Sequence, residues 1–88
     1  MTHAEICDQI QSFMTRELLD PGLSIEPTTQ LIELGLIDSL SAVVLVTFIT
    51  TSFEIEVGLE ELTEANLQTI TAMAEMVLRL RQSSSVAA

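Results

Sequence analysis

Asp38-Ser39-Leu40-Ser41-Ala42-Val43-Val44-Leu45-Val46-Thr47-Phe48-Ile49-Thr50-Thr51-Ser52-Phe53 is the stretch on which the fold turns. It is rich in β-branched residues (Val43, Val44, Val46, Thr47, Ile49, Thr50, Thr51), which suit strands. Yet it shows no period-two alternation and is long for a strand. Leu40, Val43, Val46 and Phe53 fit one helical face, so the stretch reads as a helix from about Ser39 to Phe53. Tertiary packing then overrides modest intrinsic propensity. Asp38 or Ser39 supplies the N-cap.

Outward from this helix, the chain divides into further helical pieces. Upstream, Thr2-His3-Ala4-Glu5 is a capping-box pattern. Ile6, Ile10, Phe13, Met14 and Leu18 follow it as an apolar stripe, and Asp20-Pro21-Gly22 ends that first helix with turn chemistry. Leu23 to about Asp38 is then a long connection, of a length often tied to function. Leu23, Ile25, Leu31 and Leu34 are its expected anchors. Its Thr residues are expected to cap a single helical turn that Gly35 ends. Downstream, Glu54 to Gly58 is a break. A short helix capped by Thr63 comes next, and a last helix from near Thr69 buries Ile70, Met73, Met76, Val77 and Leu80. Arg79 and Arg81 fall in its expected final turns, where positive charge suits the helix dipole. The fold class is therefore all-α: a small four-helix bundle, three main helices and one short one, with a long loop between helices one and two. Residues 1–82 form one domain, and 83–88 read as a disordered tail.

Composition narrows the function. The chain has 88 residues, enough for one domain with a thin core. Thirteen acids against three arginines give a net charge of −10, a surface that repels phosphate backbones and argues against nucleic-acid binding. That charge serves solubility and steers the chain toward basic partner surfaces. The start lacks a signal-peptide pattern, and the run from Leu40 to Phe53 is too short and too polar to span a membrane. The expected location is cytoplasmic, with no membrane partner. Cys7 is the one cysteine, so no internal disulfide or multi-cysteine metal site can form; it reads as a small filler beside a helix face.

Few enzyme readings survive. The three glycines (Gly22, Gly35, Gly58) are scattered, so there is no phosphate-binding loop. His3 is the only histidine and has no Ser/Asp set around it, a zinc site lacks ligands, and no catalytic residue is assigned. The positive signal is Gly35-Leu36-Ile37-Asp38-Ser39-Leu40. It places a hydroxyl at the mouth of a helix, where unpaired N–H groups and positive potential would stabilise a phosphate on Ser39. Asp38 beside it could act on the hydroxyl or help bind a metal held by a modifying enzyme. The plain alternative is an Asp-Ser N-cap after a Gly-ended turn.

Leu31-Ile32-Glu33-Leu34-Gly35-Leu36-Ile37-Asp38-Ser39-Leu40 resembles the signature of acyl and peptidyl carrier proteins. Phe53-Glu54-Ile55-Glu56-Val57 resembles the close of that family's second helix. Leu62-Thr63-Glu64-Ala65-Asn66-Leu67-Gln68-Thr69-Ile70 resembles its short third helix and the start of the fourth. The likeness covers about Glu5 to Leu80. It implies that Ser39 receives 4′-phosphopantetheine from coenzyme A, with Asp38 and Leu40 as flanking recognition residues. It also implies a non-catalytic carrier whose cargo sits on the arm as a thioester. The implied partners are a phosphopantetheinyl transferase, a loading ligase or acyltransferase, and condensing or tailoring enzymes.

One departure from the family bears on docking. Ser41, Ala42, Val44, Phe48, Thr50, Thr51 and Ser52 are expected to face outward, and none is charged. Either Val44 and Phe48 fold into the core, or an apolar docking face follows, with Ala42, Val44 and Phe48 as contacts and Leu36, Ile37, Val43 and Thr47 completing the surface. Such a face is more like peptidyl carriers than fatty-acid carriers and points to polyketide or nonribosomal peptide biosynthesis. Aminoacyl and polyketide cargo remain open. Met1 and the short tail read as marks of a freestanding, monomeric carrier. The rival is an acidic helical adaptor in which Ser39 is never pantetheinylated.

Overall fold

A computed structural model describes residues 1–19 and 22–87, with side chains through Gln82. It is all-helical among the described residues: α1 (His3–Phe13), α2 (Ser39–Phe53), α3 (Glu64–Leu67) and α4 (Ile70–Ala87). A π-type turn (Met14–Leu18) extends α1, and a 3-10 turn (Leu59–Glu61) precedes α3. This is the small helical bundle expected from the sequence.

The capping box of α1 forms as its residues dictate. The Glu5 N–H donates to the Thr2 hydroxyl (3.2 Å), and the Thr2 N–H donates to the Glu5 carboxylate (2.8 Å). The latter bond holds the Glu5 carboxyl below its ordinary range. Ile6, Ile10 and Met14 are fully buried at successive turns. Where α1 ends, the Leu19 N–H reaches back five residues to the Met14 carbonyl (2.9 Å). Gly22 follows with φ +87°, while Asp20 and Pro21 lie outside the described residues.

Cys7 is buried beside this stripe, 3.6 Å from Nδ1 of His3. Desolvation pushes its thiol pKa up, and the nearby charges of Asp8 and Glu75 add to the effect.

α2 turns a different face inward from the one expected. Leu45, Ile49 and Phe53 are buried, with Ala42 and Val46 partly so. Leu40 and Val43, placed by the sequence on the inner face with Val46 and Phe53, are 75% and 63% exposed. Phe48, expected outside, is half-buried and stacks on Phe13 of α1 (ring centroids 4.1 Å, interplanar 14°). The cause is compositional. With no charged residue between Ser39 and Phe53, nothing polar enough marks the outer face, and packing against α1 and α4 sets the phase.

The downstream helices match the pattern more closely. The Thr63 hydroxyl caps α3 by accepting from the Asn66 N–H (3.2 Å). Ile70, Met73, Met76 and Val77 are buried along α4, and Leu80 is half-buried. Arg79 and Arg81 do not sit in terminal turns, because α4 continues to Ala87. They instead tie elements together: Arg79 pairs with Glu61, and Arg81 donates to the Phe53 carbonyl (3.1 Å). The segment read as a tail, 83–88, thus has helical backbone over 83–87. The side chains of 83–87, and Ala88 altogether, lie outside the described residues.

Candidate functional site

The long connection is pinned rather than loose. Ile25, Leu31 and Ile37 are its buried anchors, whereas Leu23 and Leu34, also expected to anchor it, are exposed. The Gln11 side chain donates to the Ile25 carbonyl (2.7 Å), and the Thr71 N–H donates to the Pro27 carbonyl (3.0 Å). At the α3–α4 junction, Gln68 takes three N–H groups of the loop. Its carbonyl accepts from Leu31 (2.8 Å), and its side-chain Oε1 accepts from Ile32 (3.0 Å) and Glu33 (3.2 Å).

So held, residues 31–35 make one helix-like turn. The Leu34 N–H donates to the Gln30 carbonyl, and Gly35 closes the turn at φ +75°, a conformation that suits glycine. Thr29 does not cap this turn as expected. Its hydroxyl instead accepts from the Glu26 N–H (2.8 Å) and closes a separate turn over 26–29. The N–H groups of Leu36 and Ile37 both donate to the Leu31 carbonyl, folding the chain back before α2 begins.

Asp38 is the N-cap of α2. Its carboxylate accepts from the Ser41 N–H (2.9 Å), and that bond chiefly holds its carboxyl below the usual range. Ser39 is the first helical residue; it is exposed, and its hydroxyl makes no hydrogen bond among the described residues. The first-turn N–H of Ser39 likewise has no protein acceptor there, while that of Leu40 faces the Asp38 carboxylate. Leu40 projects from the same turn.

Beside Ser39 lies an open cleft of about 310 Å³ between α2 and α3. Its walls are largely apolar, with Ile32, Ile37, Ala42, Leu62 and Leu67, and Thr63 and Glu64 also line it. A free hydroxyl at the positive end of a helix and an adjoining apolar cleft together fit a phosphate ester bearing a long, mostly uncharged arm.

The structure divides the docking residues named from the sequence. Ile37 is 6% exposed, anchors the loop in the core and lines the cleft beside Ser39. Leu36 and Ala42 are half-buried near Ser39. Val43, Val44, Thr47 and Phe48 share a second groove, on the α1 side of α2. Two features escaped the sequence reading. Gln68 carries no local signal, because its partners lie more than thirty residues away. Phe13 was placed in the core stripe, and only its stacking on Phe48 reveals it as a groove wall.

Comparison with curated proteins gives no match. A family model described as the phosphopantetheine attachment site matches residues 8–77, a span that takes in most of α1, the loop that follows, α2, α3 and the first part of α4. With that span matched and the mouth of α2 shaped to suit, the chain belongs to the phosphopantetheine attachment site family, the small helical carriers of a 4′-phosphopantetheine group.

Proposed function

We propose that Ser39 is the residue that bears 4′-phosphopantetheine and that the chain is a non-catalytic carrier serving partner enzymes. The observation that carries this reading is the exposed, unbonded Ser39 hydroxyl at the first position of α2, inside the matched span. In the attachment step, Ser39 Oγ forms a bond to the β-phosphorus of coenzyme A, adenosine 3′,5′-bisphosphate leaves, and the hydroxyl proton passes to a base of a phosphopantetheinyl transferase. Asp38 fixes the first turn, so that Ser39 is offered in one orientation. Ionised and engaged by Ser41, it serves as cap and recognition residue rather than as base. Leu40 offers an apolar contact beside the hydroxyl. Once attached, the arm supplies a thiol that holds an acyl group as a thioester.

Around this centre, Leu36, Ala42, Val43, Val44, Thr47 and Phe48 form the docking surface for loading and condensing or tailoring enzymes. The absence of charge on α2 supports a natural-product setting, polyketide or nonribosomal peptide, over fatty-acid synthesis. We assign the carrier domain to residues 1–82 and a monomeric, cytoplasmic form. No described helix is long and apolar enough to cross a membrane.

The test is the intact mass after incubation with coenzyme A and a broad-specificity phosphopantetheinyl transferase. One phosphopantetheine addition to the native chain and none to Ser39→Ala is the expected result. No addition to a folded native chain would overturn the assignment.

A further inference from the structure

A helix-like turn begins with N–H groups that nothing inside it can accept. In the turn over 31–35, Leu34 is the first residue whose N–H finds a carbonyl within reach, that of Gln30. The N–H groups of Leu31, Ile32 and Glu33 are left over, and all three go to Gln68. The Gln68 carbonyl takes the first (2.8 Å), and its side-chain Oε1 takes the other two (3.0 and 3.2 Å). Thr29, placed in sequence to cap the turn, is spent on Glu26. Gln68 is therefore the cap of this turn, supplied from more than thirty residues away.

Gln68 stands where two sides of the cleft beside Ser39 meet. It is the C-cap of α3, whose Leu67 lines the cleft, and it bonds to Ile32, which lines the cleft from the loop. It is not itself part of the lining. From the capped turn, hydrogen bonds lead on to α2. The Leu31 carbonyl accepts from Leu36 (2.8 Å) and Ile37 (3.3 Å), and Asp38 then caps α2 by accepting from Ser41 (2.9 Å). Burial adds little between Leu31 and Ile37, since Glu33, Leu34 and Gly35 are exposed.

We propose that Gln68 is a positioning residue for Ser39, keeping the start of α2 in the arrangement that a phosphopantetheinyl transferase binds. This rests on Ser39 being the attachment site. The effect is one of population. A turn that is competent only part of the time lowers apparent affinity for the transferase by that fraction, while the bound turn reacts as before. The KM for the carrier therefore depends on Gln68, and kcat does not.

The test compares full-length variants at a temperature below all their melting transitions. Gln68→Leu removes the side-chain acceptor at similar volume, and Gln68→Asn is one methylene too short to reach. Gln68→Glu keeps an oxygen for both N–H groups. Ile10→Val trims a fully buried residue of α1 and lowers stability without touching the loop. With saturating coenzyme A and a phosphopantetheinyl transferase, Gln68→Leu and Gln68→Asn should raise KM about fivefold or more at unchanged kcat. Gln68→Glu should recover most of that loss, and Ile10→Val should keep the native KM. In the free, isotopically labelled chains, hydrogen exchange at the Ser41 amide should quicken in Gln68→Leu and Gln68→Asn but not in Gln68→Glu.

A native KM in folded Gln68→Leu overturns the proposal, as does failure of Gln68→Glu to recover the loss. An equal rise in Ile10→Val would reduce the effect to general destabilisation. A raised KM with unchanged Ser41 exchange would make Gln68 a direct contact of the transferase instead. If the native chain accepts no arm, the attachment reading fails by itself, and Ser41 exchange still decides whether Gln68 holds the start of α2.

Discussion

At Asp38, one hydrogen bond ties local structure to pH. The Ser41 N–H favours the ionised carboxylate and lowers its pKa in the folded state. A depressed folded pKa means that the contribution to stability is complete above the ordinary Asp range and is lost as pH falls through the lowered value. The native chain should therefore lose melting temperature on acidification below about pH 5 more steeply than Asp38→Asn, which keeps an uncharged acceptor at the cap. The carboxyl carbon of Asp38, followed by NMR, should titrate below an unstructured aspartate. An unshifted titration would mean that the cap does not form in solution. The neighbouring Ser39 stands out in the sequence through the Gly35-to-Leu40 motif and its resemblance to carrier proteins, since local chemistry alone fits a plain Asp-Ser cap after a Gly-ended turn equally well. Gln68 does not, because a glutamine that binds amides more than thirty residues away leaves no trace in its own neighbourhood.

α2 marks where periodicity stops being informative. Its length and its lack of alternation are enough to identify a helix, and the bounds Ser39–Phe53 are those expected. Its rotation about its own axis is not readable, because the usual polar stripe is missing and any of several apolar faces could be buried. The buried face is Leu45, Ile49 and Phe53, with Val43 outside. This gives a contrast between two β-branched residues six positions apart. Ile49→Ala should cost about 2–5 kcal/mol by removing buried methyl groups and leaving a cavity. Val43→Ala should change stability by less than about 0.5 kcal/mol, as surface substitutions do. Denaturant unfolding of the two variants decides the matter, and equal losses would return α2 to the rotation first expected. α1 and α4 escape this ambiguity because Glu5, Asp8 and Gln9, or Glu75 and Arg79, interrupt their apolar stripes and mark the wet side.

On the scale of the whole molecule, the path from α1 to α2 is long in sequence but short in freedom. Gln11, Gln68 and Thr71 each hold it, so that the loop and the α3–α4 junction form one unit supporting the start of α2. Gln68→Ala removes the acceptor for two of these N–H groups while sparing the backbone bond to Leu31. It should cost about 1–2 kcal/mol and speed hydrogen exchange at Ile32 and Glu33 before any other amides. Uniform acceleration would show that the loop is not held as a unit by this side chain. The buried Cys7 has a different kind of consequence. A thioester can migrate to any accessible thiolate, and the chain has a single cysteine, sealed under α1 with its ionisation suppressed. A maleimide added to the unmodified, folded chain at neutral pH should find nothing to alkylate, and should label it only after denaturation. An acyl group on the arm would therefore meet no accessible sulfur in this chain to which it could hop.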